Sequence, residues 1–207
     1  STVSGGYCNS ASEETTTVGG GGCNTALGQS ATISGGYQNT ASGEYSTVSG
    51  GEGNIASGSC STIGGGYSNI TSGSSSTIGG GYCNTTSSDY STVSGGYNNT
   101  ASGTYSTVSG GYNNTASGYY ATIGGGQNNT GSNSNSHILG SGISSDKDDT
   151  TFVQNLHITG STTANGILQL SRRNTTPIGE EGMIIASGSA GASKPYYFNG
   201  STWNALF

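Results

Sequence analysis

"STVSGGYNNTASGTY" at residues 91–105 is followed directly by "STVSGGYNNTASGYY" at residues 106–120, and the two copies differ only at Thr104 and Tyr119. A period of this kind asks for a structure in which every fifteenth residue meets the same surroundings. Working outward, rows of fifteen counted from Ser1 align through nine rows without insertion or deletion. Position 3 of the row is always Val or Ile, from Val3 and Val18 to Ile123, with Ile138 continuing it. Position 5 is Gly from Gly5 to Gly125, position 9 is Asn from Asn9 to Asn129, and position 11 is mostly Ala, with Thr71, Thr86 and Gly131 as exceptions.

Each row holds two short alternating segments, such as Ser91–Ser94 and Asn99–Ser102. Period-two alternation sends Ser91 and Val93 to one face and Thr92 and Ser94 to the other, and turns Ala101 inward between Thr100 and Ser102. Gly95-Gly96 and Ser102-Gly103 supply the corners, where the chain needs unusual dihedral angles. One row cannot bury its single Val and single Ala alone. Stacked rows at a strand spacing of ~4.8 Å bury them in ladders of like residues. The expected fold is all-β: a parallel β-solenoid, or β-roll, of 15-residue turns. So lean a core favours association of several chains around one axis.

The totals agree with a repeat and exclude several classes. Among 207 residues 40 are Gly, 29% are apolar and only 7% are charged, with two prolines. Disorder on this scale usually brings high charge or many prolines, and neither is present. The net charge of −6 with four Lys and Arg gives no surface that could track phosphates, so no nucleic-acid partner is expected. No apolar stretch is long enough for insertion into a membrane. Ser1 opens no secretory leader, so the sequence reads as a mature chain or a piece of a longer one.

The rows "YSTVSGGYNNTASGTYSTVSGG" (residues 90–111) resemble the head repeats of trimeric autotransporter adhesins, which alternate Ser-x-Ala/Val-x-Gly with Ala-x-Ala-x-Gly segments. The resemblance spans roughly residues 1–140. It implies a left-handed β-roll, a homotrimer, and an extracellular position at a cell or virion surface. The period of fifteen is one longer than is typical of that family. Related repeats occur in phage and other viral fibres.

The register ends after "SHILGSG". Residues 141–171 read as a connector with strand-like runs over Thr151–Ile158 and Ile167–Leu170, and residues 172–207 as a small C-terminal β module. There Met183-Ile184-Ile185 reads as a strand, and Tyr197–Trp203 as a hairpin around Asn199-Gly200. The pattern "PxGxxG…YYxNGxxW" is similar to terminal modules of phage tail fibres; its aromatics would either form a binding patch or bury themselves as a small core that caps the open end of the roll, whose last turn otherwise exposes sheet edges.

The candidate sites are surface columns. Tyr7, Tyr37, Tyr67, Tyr82, Tyr97 and Tyr112 share one corner and would either stiffen it or grip sugars; Tyr45, Tyr90, Tyr105 and Tyr120 line another. Thr2, Thr17, Thr32, Thr47, Thr62, Thr77, Thr92, Thr107 and Thr122 form an outward hydroxyl column, which suits a polar outer face and also an ice-binding one. Cys8 and Cys23 stand one turn apart, inside the Cα range of a disulfide. Asn69, Asn84, Asn98, Asn113, Asn128, Asn174 and Asn199 head glycosylation sequons. The invariant Asn column is expected to bond the backbone, since Asn9 and Asn24 hold the same place without a sequon.

No catalytic, cofactor or metal site is expected. His137 and His157 lie outside any nucleophile motif, Glu13-Glu14 and Glu180-Glu181 read as solvated pairs, and Asp146, Asp148 and Asp149 around Lys147 lack calcium-loop spacing. The sequence therefore points to a fibre or adhesin head segment presenting a surface to a host receptor or glycan. The alternative is a subunit of an extracellular filament or sheath that assembles end to end.

Overall fold

The computed structural model describes residues 1–154 and the strands Gly182–Ile184, Tyr196–Phe198 and Trp203–Ala205. It divides into two compact units, Ser1–Leu156 and His157–Phe207. The first is an all-parallel β-solenoid of 15-residue turns. Two-residue strands such as Thr92–Val93 and Thr100–Ala101 recur once per turn and pair only with their counterparts fifteen residues away, Thr92↔Thr107 and Thr100↔Thr115 among them. They build one sheet of 11 strands and one of 9. A third, thinner ladder of single parallel bridges runs down position 7, from Tyr7 to Gln127.

Hydrogen bonds between turns repeat with the residues. Thr92 N–H donates to Ser106 O (2.9 Å), Tyr97 N–H to Gly111 O (3.0 Å) and Thr100 N–H to Asn114 O (2.8 Å). Inside, Val18, Ile33, Val48, Ile63, Ile78, Val93, Val108, Ile123 and Ile138 are fully buried, facing the alanines of position 11. The core is one branched side chain wide, so each turn gains its burial only from the turns above and below it.

The interior is more polar than composition suggests, because positions 1 and 9 point inward, as the alternation places them. Fully buried serines fill most of position 1. Where position 11 is threonine, the pair is joined across the core: Thr71 Oγ1 donates to Ser61 Oγ (3.1 Å) and Thr86 Oγ1 to Ser76 Oγ (3.0 Å). Where it is alanine the serine can be stranded, and Ser46 and Ser106 have no partner for their hydroxyls. An unpaired buried hydroxyl is destabilising by about 1–3 kcal/mol. Ser106→Ala is therefore expected to raise the unfolding midpoint, by about 1 kcal/mol in denaturant titration, after the lost packing of the oxygen is allowed for. Ala31 and Ala121 already occupy this position in two turns.

The corners differ from the expected ones in one respect. Gly96 does take left-handed backbone (φ +94), but Gly103 does not. A Cβ on Gly103 would lie 2.1 Å from Gly118 O, so this glycine answers a close approach between turns, though Ser88 and Asn133 are accommodated at the equivalent position. Most of the other residues in the αL region, with φ near 50–65°, are not glycines, Gly53 (φ 65) and Gly142 (φ 66) being exceptions. They sit at positions 8 and 15, as in Asn98 (φ 53), Cys60 (φ 55) and Tyr105 (φ 60). Asn adopts this conformation readily, whereas Tyr and Cys do so at a cost of about 1–2 kcal/mol.

The coil also runs past residue 140, where the repeat fades. Ile138 pairs with Phe152 in a shortened turn, Ser144 bridges Thr130, and Ile143 and Phe152 pack on the core. The part of the expected connector strand seen here is Thr151–Val153. Residues Ile167–Leu170 lie outside the described residues. In the second unit, Gly182–Ile184, Tyr196–Phe198 and Trp203–Ala205 form a three-stranded antiparallel sheet. Phe198 pairs with Trp203, so a hairpin joins these strands, with four residues between the pair rather than the two of a tight Asn-Gly turn; residues 199–202 lie outside the described residues.

Candidate interaction surface

Translation by one turn turns any residue that recurs at one position into a ladder, and three ladders dominate the first unit. The inner one is asparagine. Asn99 Nδ2 donates to Gly95 O in its own turn (3.1 Å), to Gly111 O in the next (2.9 Å), and shares Asn84 Oδ1 below (3.2 Å). Its Oδ1 accepts from Asn114 N–H (3.0 Å) and Asn114 Nδ2 (3.1 Å) above. The same pattern recurs at Asn24, Asn39, Asn54, Asn69, Asn84 and Asn114. Each side chain clamps the glycine corner of its own turn to that of the next, which is the backbone role expected for this column.

The same geometry corrects part of the sequon reading. Asn69 and Asn84 are fully buried with their amide nitrogens committed to these bonds, so neither can carry a glycan in the folded roll. Asn98, Asn113 and Asn128 at position 8 are exposed and form an outer amide ladder, with Nδ2 of each lower residue donating to Oδ1 of the next at 2.9 Å. Asn174 and Asn199 lie outside the described residues.

The tyrosines form two outer ladders. Tyr67, Tyr82, Tyr97 and Tyr112 stack with ring centroids 4.9, 4.9 and 5.3 Å apart and planes within 15° of parallel. At the other corner Tyr90, Tyr105 and Tyr120 stack at 4.9 and 4.8 Å, and Tyr119 sets its edge against Tyr105 and Tyr120. Tyr7 and Tyr37 share the first column but are separated by Gly22, and Tyr37 is separated from Tyr67 by Glu52. Tyr45 stands apart from the second stack. Within a continuous ladder the ring faces cover one another and leave hydroxyls and edges to solvent. Sugar stacking on a ring face is thus confined to the ends of each ladder.

Aromatic stacking is worth about 0.5–1.5 kcal/mol per pair. Tyr97→Ala, which removes two such contacts, is expected to destabilise the roll by about 1–3 kcal/mol, and Tyr7→Ala by much less. Equilibrium unfolding of the two variants side by side checks this.

The phenols also feel one another. The charge of Tyr7, two rungs away, pushes the Tyr37 hydroxyl above its ordinary value; the Cys83 thiol does so for Tyr82, and the Tyr120 hydroxyl for Tyr119. A phenol raised in the folded state contributes stability that is complete below the unfolded value of about 10 and is lost as pH rises through the folded one. Absorbance titration at alkaline pH should show a late-ionising set of tyrosines that joins the ordinary set once the roll is unfolded.

Thr17, Thr32, Thr47, Thr62, Thr92, Thr107 and Thr122 are half-buried, and Thr2 and Thr77 exposed, all paired in register along one sheet. The second sheet carries Thr25, Thr40, Thr85, Thr100, Thr115 and Thr130 in the matching place, interrupted by exposed Ile55 and Ile70. That outward apolar pair has no counterpart in the sequence reading, although two isoleucines at an otherwise hydroxyl position were the available signal.

Cys8, Cys23, Cys60 and Cys83 are free thiols. Cys8 and Cys23 occupy neighbouring rungs with nearly the same backbone (φ 60 and 53). Their Cβ atoms therefore run parallel at about the rung spacing of ~4.8 Å, beyond the usual 3.5–4.5 Å of a disulfide. Their Cα spacing alone fits a bridge, and the direction of the side chains is what the spacing left out. Among the described residues no three His, Cys, Asp or Glu gather as a metal site, and no helix is long and apolar enough to cross a membrane. Asp148 Oδ1 instead accepts from Ser134 N–H (2.9 Å), and Asp149 Oδ1 from Asn135 Nδ2 (2.7 Å).

No curated protein matches the chain. A family model described as the ubiquitous surface protein adhesin repeat matches residues 91–103 and 106–118, the two turns in which both tyrosine ladders and the outer asparagine ladder run side by side; the chain is thus a β-solenoid consistent with adhesin-repeat families.

Proposed function

We propose that the roll is an extracellular fibre or adhesin head segment, built to hold a surface away from a cell or virion and present it to a host receptor or glycan. The observation that carries this reading is the match of an adhesin-repeat family to residues 91–103 and 106–118, in turns whose outer faces are almost wholly hydroxyl, amide and phenol. The surface of the first unit is uncharged apart from a few acids and Lys147. Residues 1–146 contain neither Lys nor Arg, which suits contact with neutral sugars better than with anionic polymers. In this reading the coil is left-handed, three chains pack side by side to widen a core one side chain thick, the second unit serves as a cap, and no catalytic step is assigned.

Native mass measurement with electron cryo-microscopy of the same sample tests it. A discrete particle of about 61 kDa, three times the 20.4 kDa chain, that retains glycans on an array supports a trimeric head. Open filaments without glycan retention would replace it with the architectural reading. Thermal hysteresis would instead make the threonine column the working face.

A further inference from the structure

We propose that Cys8 and Cys23 form a two-coordinate clamp for a soft monovalent metal ion, with Cu(I) as the natural class and Ag(I) as its analogue. The argument is one of length. The two residues have like backbone conformation on adjacent rungs, and Cys23 N–H donates to Tyr7 O (2.9 Å), which ties the rungs together directly beside the thiols. Side chains leaving the two rungs in the same rotamer would hold their sulfurs about one rung apart, ~4.8 Å. A disulfide needs sulfurs at about 2.05 Å, and closing that gap means pinching two turns held by the ladder on either side. Two metal–thiolate bonds of about the zinc–thiolate length, ~2.3 Å, laid end to end span about 4.6 Å, close to the rung spacing. Thiolate is the donor that selects Cu(I), so the length and the ligand point to the same class of ion.

Access and electrostatics agree. Cys8 is exposed and Cys23 half-buried. A side-chain hydrogen bond with Cys8, then burial and the nearby Cys8 charge, push the Cys23 thiol up. An ion bridging both sulfurs takes the place of the proton they share. Two thiols lose two protons to solvent as one M⁺ binds, leaving a linear S–M–S unit of charge −1, and no electron changes hands. Below the thiol pKa values, apparent affinity should rise about a hundredfold per pH unit, because two protons compete with each ion. Cys60 and Cys83 serve as internal controls, since the rungs beside them carry Tyr45 and Ser75, and Ser68 and Asn98.

The test uses the full, reduced chain without oxygen, titrated with Cu(I) or Ag(I) against a soft chelating competitor and read by native mass spectrometry and ultraviolet thiolate-to-metal absorption. The expected result is one ion retained per chain, kept by the Cys60→Ser/Cys83→Ser variant and lost by Cys8→Ser and by Cys23→Ser. Ser68 already occupies this position of another turn, so the single serine variants keep the fold, and circular dichroism confirms it. Retention of the ion by Cys8→Ser, or ions found only between two chains, would overturn the proposal. So would diamide closing an intrachain Cys8–Cys23 disulfide with the roll intact, because the rung length would then not be the constraint.

Discussion

Gly96→Ala is expected to unfold the turns around it, while Gly95→Ala leaves them standing. The two glycines are adjacent in sequence and both invariant in the repeat, yet they are invariant for different reasons. A Cβ on Gly96 would lie 2.3 Å from Gly111 O and 2.6 Å from Asn99 Nδ2, on a backbone at φ +94. Neither neighbour is free to retreat. Gly111 O accepts both Tyr97 N–H and Asn99 Nδ2, and Asn99 is fixed from below by Asn84. Backbone strain of about 1–3 kcal/mol adds to a clash with main chain, so the loss should reach at least ~3 kcal/mol, a large part of the stability of a small domain. A Cβ on Gly95 meets only Gly80 O, at 3.9 Å, and its backbone is not left-handed. Thermal and denaturant unfolding of the pair should therefore separate by several kcal/mol. Equal, small effects would show that the corner yields, and that the glycine column is not what holds the turns in register.

Asn99→Ala should be comparably severe. The change leaves Gly95 O and Asn114 N–H without their side-chain partners in a buried setting, and opens a cavity the size of an amide. At about 1–3 kcal/mol for each stranded group, a loss of about 3–5 kcal/mol is expected. Asn99→Asp keeps the shape and sharpens the test. Its oxygen can still accept from Asn114 N–H, but its second oxygen would face the carbonyls of Gly95 and Gly111. The charged form is therefore disfavoured in the folded state and the carboxyl pKa rises. A raised folded pKa gives stability that is greatest below the unfolded Asp value of about 3.9 and is lost as pH rises through the folded one. Asn99→Asp should thus regain much of its stability in acid, whereas Asn99→Ala should not.

How much of this was legible in the sequence follows from what translation preserves. The period, the parallel stacking and the inward Val/Ile and Ala columns depend only on like residues meeting like. Alternation from Thr92 to Ala101 therefore placed them correctly. Alternation also puts Ser91 and Asn99 inward, but composition argues that Ser and Asn belong outside, and only the bonds closed by Ser61–Thr71 or Asn84–Asn99 show why they do not. The left-handed corner at position 15 was hidden because Tyr90, Tyr105 and Tyr120 are poor residues for it, and stacking holds them there. The turn beyond residue 140 was hidden because it is shorter than its predecessors, so Phe152 falls out of register with Ile138 on paper while pairing with it in space. For the cysteine pair, spacing gives how far apart two backbones are. It says nothing of the parallel directions in which their side chains leave.

Residues 91–105 and 106–120 are interchangeable in three dimensions and nearly identical in sequence. Removing one unit would join Tyr90 to Ser106, and adding one would join Tyr120 to a second Ser106, and every ladder can re-form across either seam. The reach of the protein then changes by one rung of ~4.8 Å with no new fold to find. Length in this molecule is set in single steps of one turn, independently of what the surface of each turn presents.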